Sequence, residues 1–406
     1  MANWLVSAKF TVKTGYFMNK NIKFGFWNYA PFGIISNKDA VKDWVEVGSN
    51  LPMSFIYDSQ KDKPNSMIEL LDECEKNNLK LIISDTRTLF TNLRSLSKDE
   101  FRKQVKEAYN EFGKHKATFG FFLGDEPSPA ETDLFIDAAK IVLEEMPGLT
   151  PFGNLLPYFG CGDAVLDIGN KDFEFYSKLL QRILKETKLP VIGYDQYTQC
   201  LDDVSNQEAG INSYFIGLDK YFENCKQNNV PFIMSLLSVG HWNYRVPTED
   251  DIRWQISTAF AHGARGIIWF YFYQNDKDYS YRLSPFTNYG LKKTPMFDII
   301  AREQYLFKKT FEEQFNKMEL TAVYHLGHLY DEEKRFIYDE YIKEILTDRK
   351  FPVIISYYKE FNSEKKWVSF VNGSQKYANL LRITFTDGRK EVFWLAPGEM
   401  RLFELK

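Results

Sequence analysis

Short apolar runs alternate with helix-length amphipathic segments along most of this 406-residue chain. The runs Ile22–Tyr29, Met53–Tyr57, Lys80–Ser84, Thr118–Leu123, Thr150–Leu155, Pro190–Tyr194, Pro231–Leu236 and Gly266–Phe272 have the length and continuous apolar character of buried strands. Between them, Ser66–Asn77, Lys98–Phe112, Ala130–Glu145, Phe173–Glu186, Leu218–Asn228 and Glu249–His262 carry the spacing of amphipathic helices. The last of these is well punctuated: Thr248 is placed to cap it with Asp251 three residues on, and Gly263 stops it. Eight strands alternating with helices predict an α/β fold, a (β/α)8 TIM barrel over residues 21–316. The competitor, a doubly wound sheet, would carry a Gly-rich phosphate turn after an early strand, and none is present.

After a final helical segment, Pro295 to Asn316, the texture changes. Thr321–His325, Pro352–Tyr358, Trp367–Val371, Leu380–Phe385, Glu391–Leu395 and Met400–Glu404 read as short strands, punctuated by Asn372-Gly, Asp387-Gly and Pro397-Gly. Residues 317–406 are therefore expected to form a small antiparallel β-sandwich domain without chemistry of its own. Residues 1–20 read as an N-terminal extension.

Net charge of −4 and a pI near 5.9 argue against nucleic-acid or anionic-membrane partners. Four scattered cysteines, Cys74, Cys161, Cys200 and Cys225, suggest free thiols, with a chance approach of Cys161 to Cys200 left open. Five histidines, none at ligand spacing, give no metal signature, and no cofactor is expected. No stretch reaches transmembrane length, the N-terminus lacks an apolar secretory core, and a cytoplasmic protein is the simplest reading. The oligomeric state is not legible. Aromatic residues make up 17% of the chain, which serves a core and equally serves flat surfaces for sugar rings.

The candidate chemistry lies at the strand ends. The run Phe119-Gly-Phe-Phe-Leu123 closes on Gly124-Asp-Glu-Pro127, so a buried strand ends by presenting two acids that are costly to desolvate without a role or a partner. The other ends present Trp27 and Asn28, Asp58, Asp85, Asn154 and Tyr158, Asp195 and Tyr197, Ser235, His241 and Trp242, and Trp269 and Tyr271. Acids, amides, hydroxyls and aromatic rings thus converge on the face where such barrels place their sites, a profile suited to carbohydrate. Strand alternation puts Asp125 on the opposite side from Glu126, so Glu126 is the expected catalyst and Asp125 a support. Structural alternatives stand beside these: Glu126 as a helix cap, Asp58 and Asp85 as turn residues, Trp269 as core, Arg253 and Gln255 as structural helix residues.

Gly120-Phe-Phe-Leu-Gly-Asp-Glu-Pro-Ser128 resembles the fourth-strand acid/base motif of the clan of retaining barrel glycosidases that includes the family 42 β-galactosidases, with Asp125 where that clan usually has Asn. Ile192-Gly-Tyr-Asp-Gln-Tyr197, Pro231 through His241 to Glu249, Arg253-Trp-Gln-Ile256, Ala261 to Phe270 and Leu395 to Phe403 are similar to uncharacterised bacterial glycosidase-like proteins. The resemblance implies a glycoside hydrolase with Glu126 as acid/base. The clan's nucleophile, a glutamate ending the seventh strand, has no counterpart between Pro231 and Gly240. Asp195 is the best second acid, as nucleophile at a separation of about 5 Å or as base at about 6.5–9.5 Å. A non-catalytic carbohydrate-binding barrel is the alternative, and a sugar lyase or isomerase a further one. Long polar segments at Cys200–Ser213 and Tyr273–Tyr289 suggest a lidded pocket and exo action on small glycosides.

Overall fold

A computed structural model describes residues 22–157, 173–199, 207–275, 280–287, 292–327, 329–348 and 351–406. The first part is an α/β barrel. Strands β1 (Lys23–Phe26), β2 (Leu81–Ile83), β3 (Thr118–Asp125), β4 (Thr150–Leu155), β5 (Ile192–Asp195), β6 (Phe232–Leu237) and β7 (Gly266–Phe270) form one parallel sheet in the order β1-β7-β6-β5-β4-β3-β2. The segment 50–57 spans the gap between its two edges. Asn50 N and Leu51 N donate to Phe24 O and Ile56 N to Ala30 O on one side, and Ser54 N and Tyr57 N donate to Ile82 O and Ser84 O on the other. The expected strand Met53–Tyr57 is therefore present as a line of isolated bridges rather than a regular ladder.

Side chains separate by the period of two that a strand imposes. Phe122, Ile233, Leu237 and Ile268 meet Trp27, Met53, Ile82 and Phe152 in the barrel lumen. Their neighbours Phe121, Leu123, Phe232, Met234, Ile267 and Trp269 face outward into the helical layer.

That layer is α1 (Asn37–Glu46), α2 (Pro64–Lys76), α3 (Lys98–Ala108), α4 (Thr132–Glu145), α5 (Phe173–Thr187), α6 (Gln207–Asn228), α7 (Glu249–Ala261) and α8 (Pro295–Phe315). The reciprocal Thr248–Asp251 cap of α7 is present, and Gly263 follows it at φ +93°. α1 has no counterpart in the sequence reading. α6 begins at Gln207, so the second half of the expected polar segment Cys200–Ser213 is helix.

The C-terminal part holds two antiparallel sheets. One is β8 (Met318–Leu326), β10 (Val353–Glu360), β11 (Lys366–Asn372) and β14 (Met400–Leu405); the other is β9 (Ile342–Thr347), β12 (Asn379–Phe385) and β13 (Lys390–Leu395). Ile345, Leu381 and Ile383 of the second pack with Ile355, Val368 and Phe370 of the first in a common core. α7 anchors this part to the barrel: Trp254 Nε1 donates to Gly373 O at 2.8 Å and Arg253 Nη1 to Pro397 O at 3.0 Å. Cys74 and Cys225 are free and buried, while Cys161 and Cys200 lie outside the described residues.

Candidate active site

β3 ends irregularly. The β3–β4 register slips between Phe122 and Gly124, Gly124 sits at φ +135° and Glu126 at φ +45°. A glutamate in the left-handed region is uncommon and costs on the order of 1–3 kcal/mol, so the surroundings must hold it there. Glu126 N donates to Asn154 O at 2.9 Å, extending the β3–β4 pairing past the kink.

The kink overturns the expectation that Asp125 and Glu126 face opposite ways. Alternation holds only along a regular strand, and both acids turn toward one place. Asn154 Nδ2, on β4, donates to Asp125 Oδ1 at 2.9 Å and to Asp195 Oδ1, on β5, at 3.2 Å. Asp195 is in turn hydrogen-bonded to Glu126. Tyr29 Oη, beyond the end of β1, donates to Asp125 Oδ2 at 3.4 Å. Three carboxyl groups are thus joined by one amide and one phenol.

Asp195 is buried at 6% exposure, whereas Asp125 and Glu126 are reached by solvent from the barrel mouth. Protein crowds all three enough to weaken their hydration. Burial first, and then the Asp125 charge, pushes Glu126 up to about 7, against a downward pull from its bond with Asp195. Burial, then Glu126 and Asp125, raises Asp195 well above the usual carboxylate range. The hydrogen bond between two carboxyl groups requires that one of them carry a proton. Burial also raises Asp125, partly offset by donation from Asn154 and Tyr29, which favours its anion. Close carboxyl groups of this kind hold a proton as a unit.

Aromatic rings wall the acids. Trp27 and Tyr29 lie parallel, 6.4 Å apart at 4°. Tyr271 packs 5.9 Å from Tyr29, and Tyr197 packs on Phe270 and Tyr244. His241 stacks between Tyr281, at 4.5 Å, and Trp242, at 4.3 Å. Trp242 is 70% exposed at φ +47°, a rim residue with one free ring face. Ser235, inward on β6, accepts from Trp27 Nε1 at 2.5 Å and is hydrogen-bonded to Tyr197.

Of the residues singled out from sequence, Trp27, Asp125, Glu126, Asn154, Asp195, Tyr197, Ser235, His241, Trp242 and Tyr271 are brought together. Four are not. Asn28 is fully buried and spent on backbone, accepting from Ala30 N and donating to Met53 O. Asp58 lies in a turn, 2.8 Å from Lys61 Nζ. Asp85 is fully buried and bound by Arg87 Nε and Nη2 at 3.0 and 2.8 Å, with Glu111 completing the ion network. Trp269 points outward and donates to Gln304 Oε1 at 3.0 Å. Tyr158 lies outside the described residues. Arg253 and Gln255 are structural as expected: Arg253 pairs with Glu303, and Gln255 accepts from Leu237 N and donates to Leu237 O.

Sequence reasoning missed Tyr29, Tyr244, Phe270 and Tyr281. Tyr29 had a signal, since it follows the inward Trp27 by two residues. Among the described residues no cluster of three or more His, Cys, Asp or Glu side chains is arranged to hold a metal ion. No described helix is long and apolar enough to cross a membrane.

No protein-family model and no curated protein matches the chain. Solved structures do. A GH42 β-galactosidase from G. stearothermophilus superposes with a TM-score of 0.62 at 9% identity, over 96% of this chain and 100% of that one. At this identity the likeness is one of fold. A β-galactosidase from the psychrophilic Marinomonas ef1 superposes with a TM-score of 0.53 at 11% identity. That match covers 73% of this chain, which spans only 62% of the Marinomonas chain. A putative α-L-fucosidase from Bacteroides thetaiotaomicron gives a TM-score of 0.50 at 12% identity, over 75% of this chain and 99% of the other.

Proposed function

We propose that this protein is a glycoside hydrolase cleaving the O-glycosidic bond of a small glycoside or oligosaccharide, with Glu126 as general acid. The observation that carries the reading is the hydrogen-bonded Glu126–Asp195 pair at the barrel mouth, two carboxyl groups that share a proton, with Glu126 raised to about 7. An acid poised near neutrality protonates a leaving oxygen and afterwards takes a proton from water. Asp195 keeps the proton at hand, and Asn154 fixes its orientation toward Asp125. Tyr29, Tyr197 and Trp242 supply flat surfaces for sugar rings, the buried Trp27 and Tyr271 back Tyr29, and His241 supports the Trp242 face. The fold likeness to β-galactosidases and a putative fucosidase supports carbohydrate as the substrate class. Within this reading the two C-terminal sheets form a β-sandwich that braces α7 and carries no chemistry.

The competing reading, a barrel that binds carbohydrate without cleaving it, draws on the same contact, because touching carboxyl groups do not flank a bond as a glycosidase pair does. A screen of aryl glycosides and oligosaccharides with wild type beside Glu126→Gln separates the two. Hydrolysis lost in the variant supports the enzyme; sugar binding without turnover in either protein supports the binding barrel.

A further inference from the structure

Glu126 and Asp195 touch, so neither stands across a sugar ring from the other. Carboxyl groups that flank a glycosidic bond are about 5–5.5 Å apart when one is a nucleophile and about 6.5–9.5 Å apart when water lies between. β6, next to β5 in the sheet, turns Ser235 inward and contains no acid from Phe232 to Leu237. Among the described residues, the acids of the pocket are gathered at the ends of β3 and β5, with Asn154 between them. Displacement at the anomeric carbon still requires a nucleophile.

A substrate can bring its own. An acetamido group on C2 sets its carbonyl oxygen within reach of C1, and attack within one molecule gains the large advantage of held proximity. Three things are then asked of the protein: a proton for the leaving oxygen, an anion beside that acid to hold the amide N–H as positive charge builds on it, and an apolar wall for the acetyl methyl. Glu126 is the acid. Asp125 follows it into the same pocket because of the kink, and its two donors, Asn154 and Tyr29, leave carboxylate lone pairs able to accept one more N–H. Tyr29, backed by the buried Trp27 and Tyr271, forms the wall.

We propose that the substrate is a 2-acetamido-2-deoxy-β-glycoside whose own acetamido oxygen is the nucleophile, with Asp125 holding its N–H and Glu126 serving as acid and then base. This rests on the glycosidase reading above. In the first step the carbonyl oxygen bonds to C1 while the bond from C1 to the leaving oxygen breaks, and that oxygen takes the proton from Glu126. The resulting cyclic oxazolinium ion keeps its N–H on Asp125. In the second step water adds to C1 and gives its proton to Glu126, the ring C1–O bond breaks, and the acetamido group is restored with net retention.

The test gives wild-type protein two pairs of 4-nitrophenyl β-glycosides, gluco and galacto, each pair differing only in 2-acetamido against 2-hydroxy. The expected result is kcat/KM at least about 100-fold higher for the 2-acetamido member of one pair. Comparable turnover within a pair, or turnover of the 2-hydroxy members alone, overturns this inference and leaves the glycosidase reading standing. Silence toward all four overturns this inference, and the wider glycoside screen then decides the glycosidase reading. Asp125→Asn, if it folds, is expected to lose about 100-fold in kcat on the 2-acetamido substrate with little change in KM; an unchanged kcat contradicts the role given to Asp125. A thiazoline mimic of the cyclic ion tests wild type without any substitution. A rise in its melting temperature with the mimic, absent with the 2-hydroxy sugar, agrees with the inference, and no rise opposes it.

Discussion

Glu126 and Asp195 are hydrogen-bonded to each other although β4 separates their strands in the sheet. The left-handed backbone at Glu126 sends its side chain toward β5 instead of straight out from β3, and Asn154 on the intervening strand ties the group together. Burial and the neighbouring Asp125 charge give Glu126 a pH signature. Glu126 titrates near 7 when folded against 4.5 ordinarily, so between those values the folded protein holds more protons than the unfolded chain. Stability from this group is full below the ordinary value and is lost as pH rises through the folded one. Melting curves should therefore fall from pH 5 toward pH 8 more steeply in wild type than in Glu126→Gln. Parallel curves would show that Glu126 is not raised.

Asp195→Leu tests the pair from the other side. The bond from Asp195 pulls Glu126 down, so without that donor Glu126 rises further above the ordinary carboxylate range. The alkaline limb of the pH–activity profile is expected to move to higher pH. A limb that stays in place would mean that Asp195 does not set the proton on Glu126.

Gly124→Ala addresses the kink. At φ +135° a side chain is strained, and a Cβ there would press into the Phe90 ring. The expected loss is about 1–3 kcal/mol in urea denaturation. Hydrolysis should fall further than stability explains, because both acids are displaced. A variant as stable and as active as wild type would remove the kink from the account.

Trp242→Ala should separate binding from folding. The ring is 70% exposed and touches the protein mainly by stacking on His241, so the melting temperature should stay put. KM for an oligosaccharide is expected to rise several-fold with kcat little changed, as when uniform binding is lost. A normal KM would make Trp242 an idle surface residue.

The barrel was legible because its strands are uniformly apolar and its helices amphipathic, two periods that local sequence carries by itself. α1 escaped because its buried face is only Ala40, Val41 and Trp44 among charged neighbours. Segment 50–57 read as a strand but divides its hydrogen bonds between two neighbours, which no local pattern announces. At the site, Glu126 and Asp195 were visible as acids ending apolar runs. Asp125 was misplaced because the period-two rule was carried across a left-handed residue. Asp58 and Asp85 were misassigned although Lys61 and Arg87, their ion partners, stand three and two residues away in the chain. Tyr244 and Tyr281 come from segments after β6 and β7 that only the folded barrel brings to its mouth.

The most direct measurement is steady-state hydrolysis of a cleavable aryl glycoside by wild type and Glu126→Gln side by side at neutral pH. The account predicts measurable turnover in wild type and a loss of about 100- to 10,000-fold in kcat/KM in the folded variant. Equal turnover by the two proteins would contradict it.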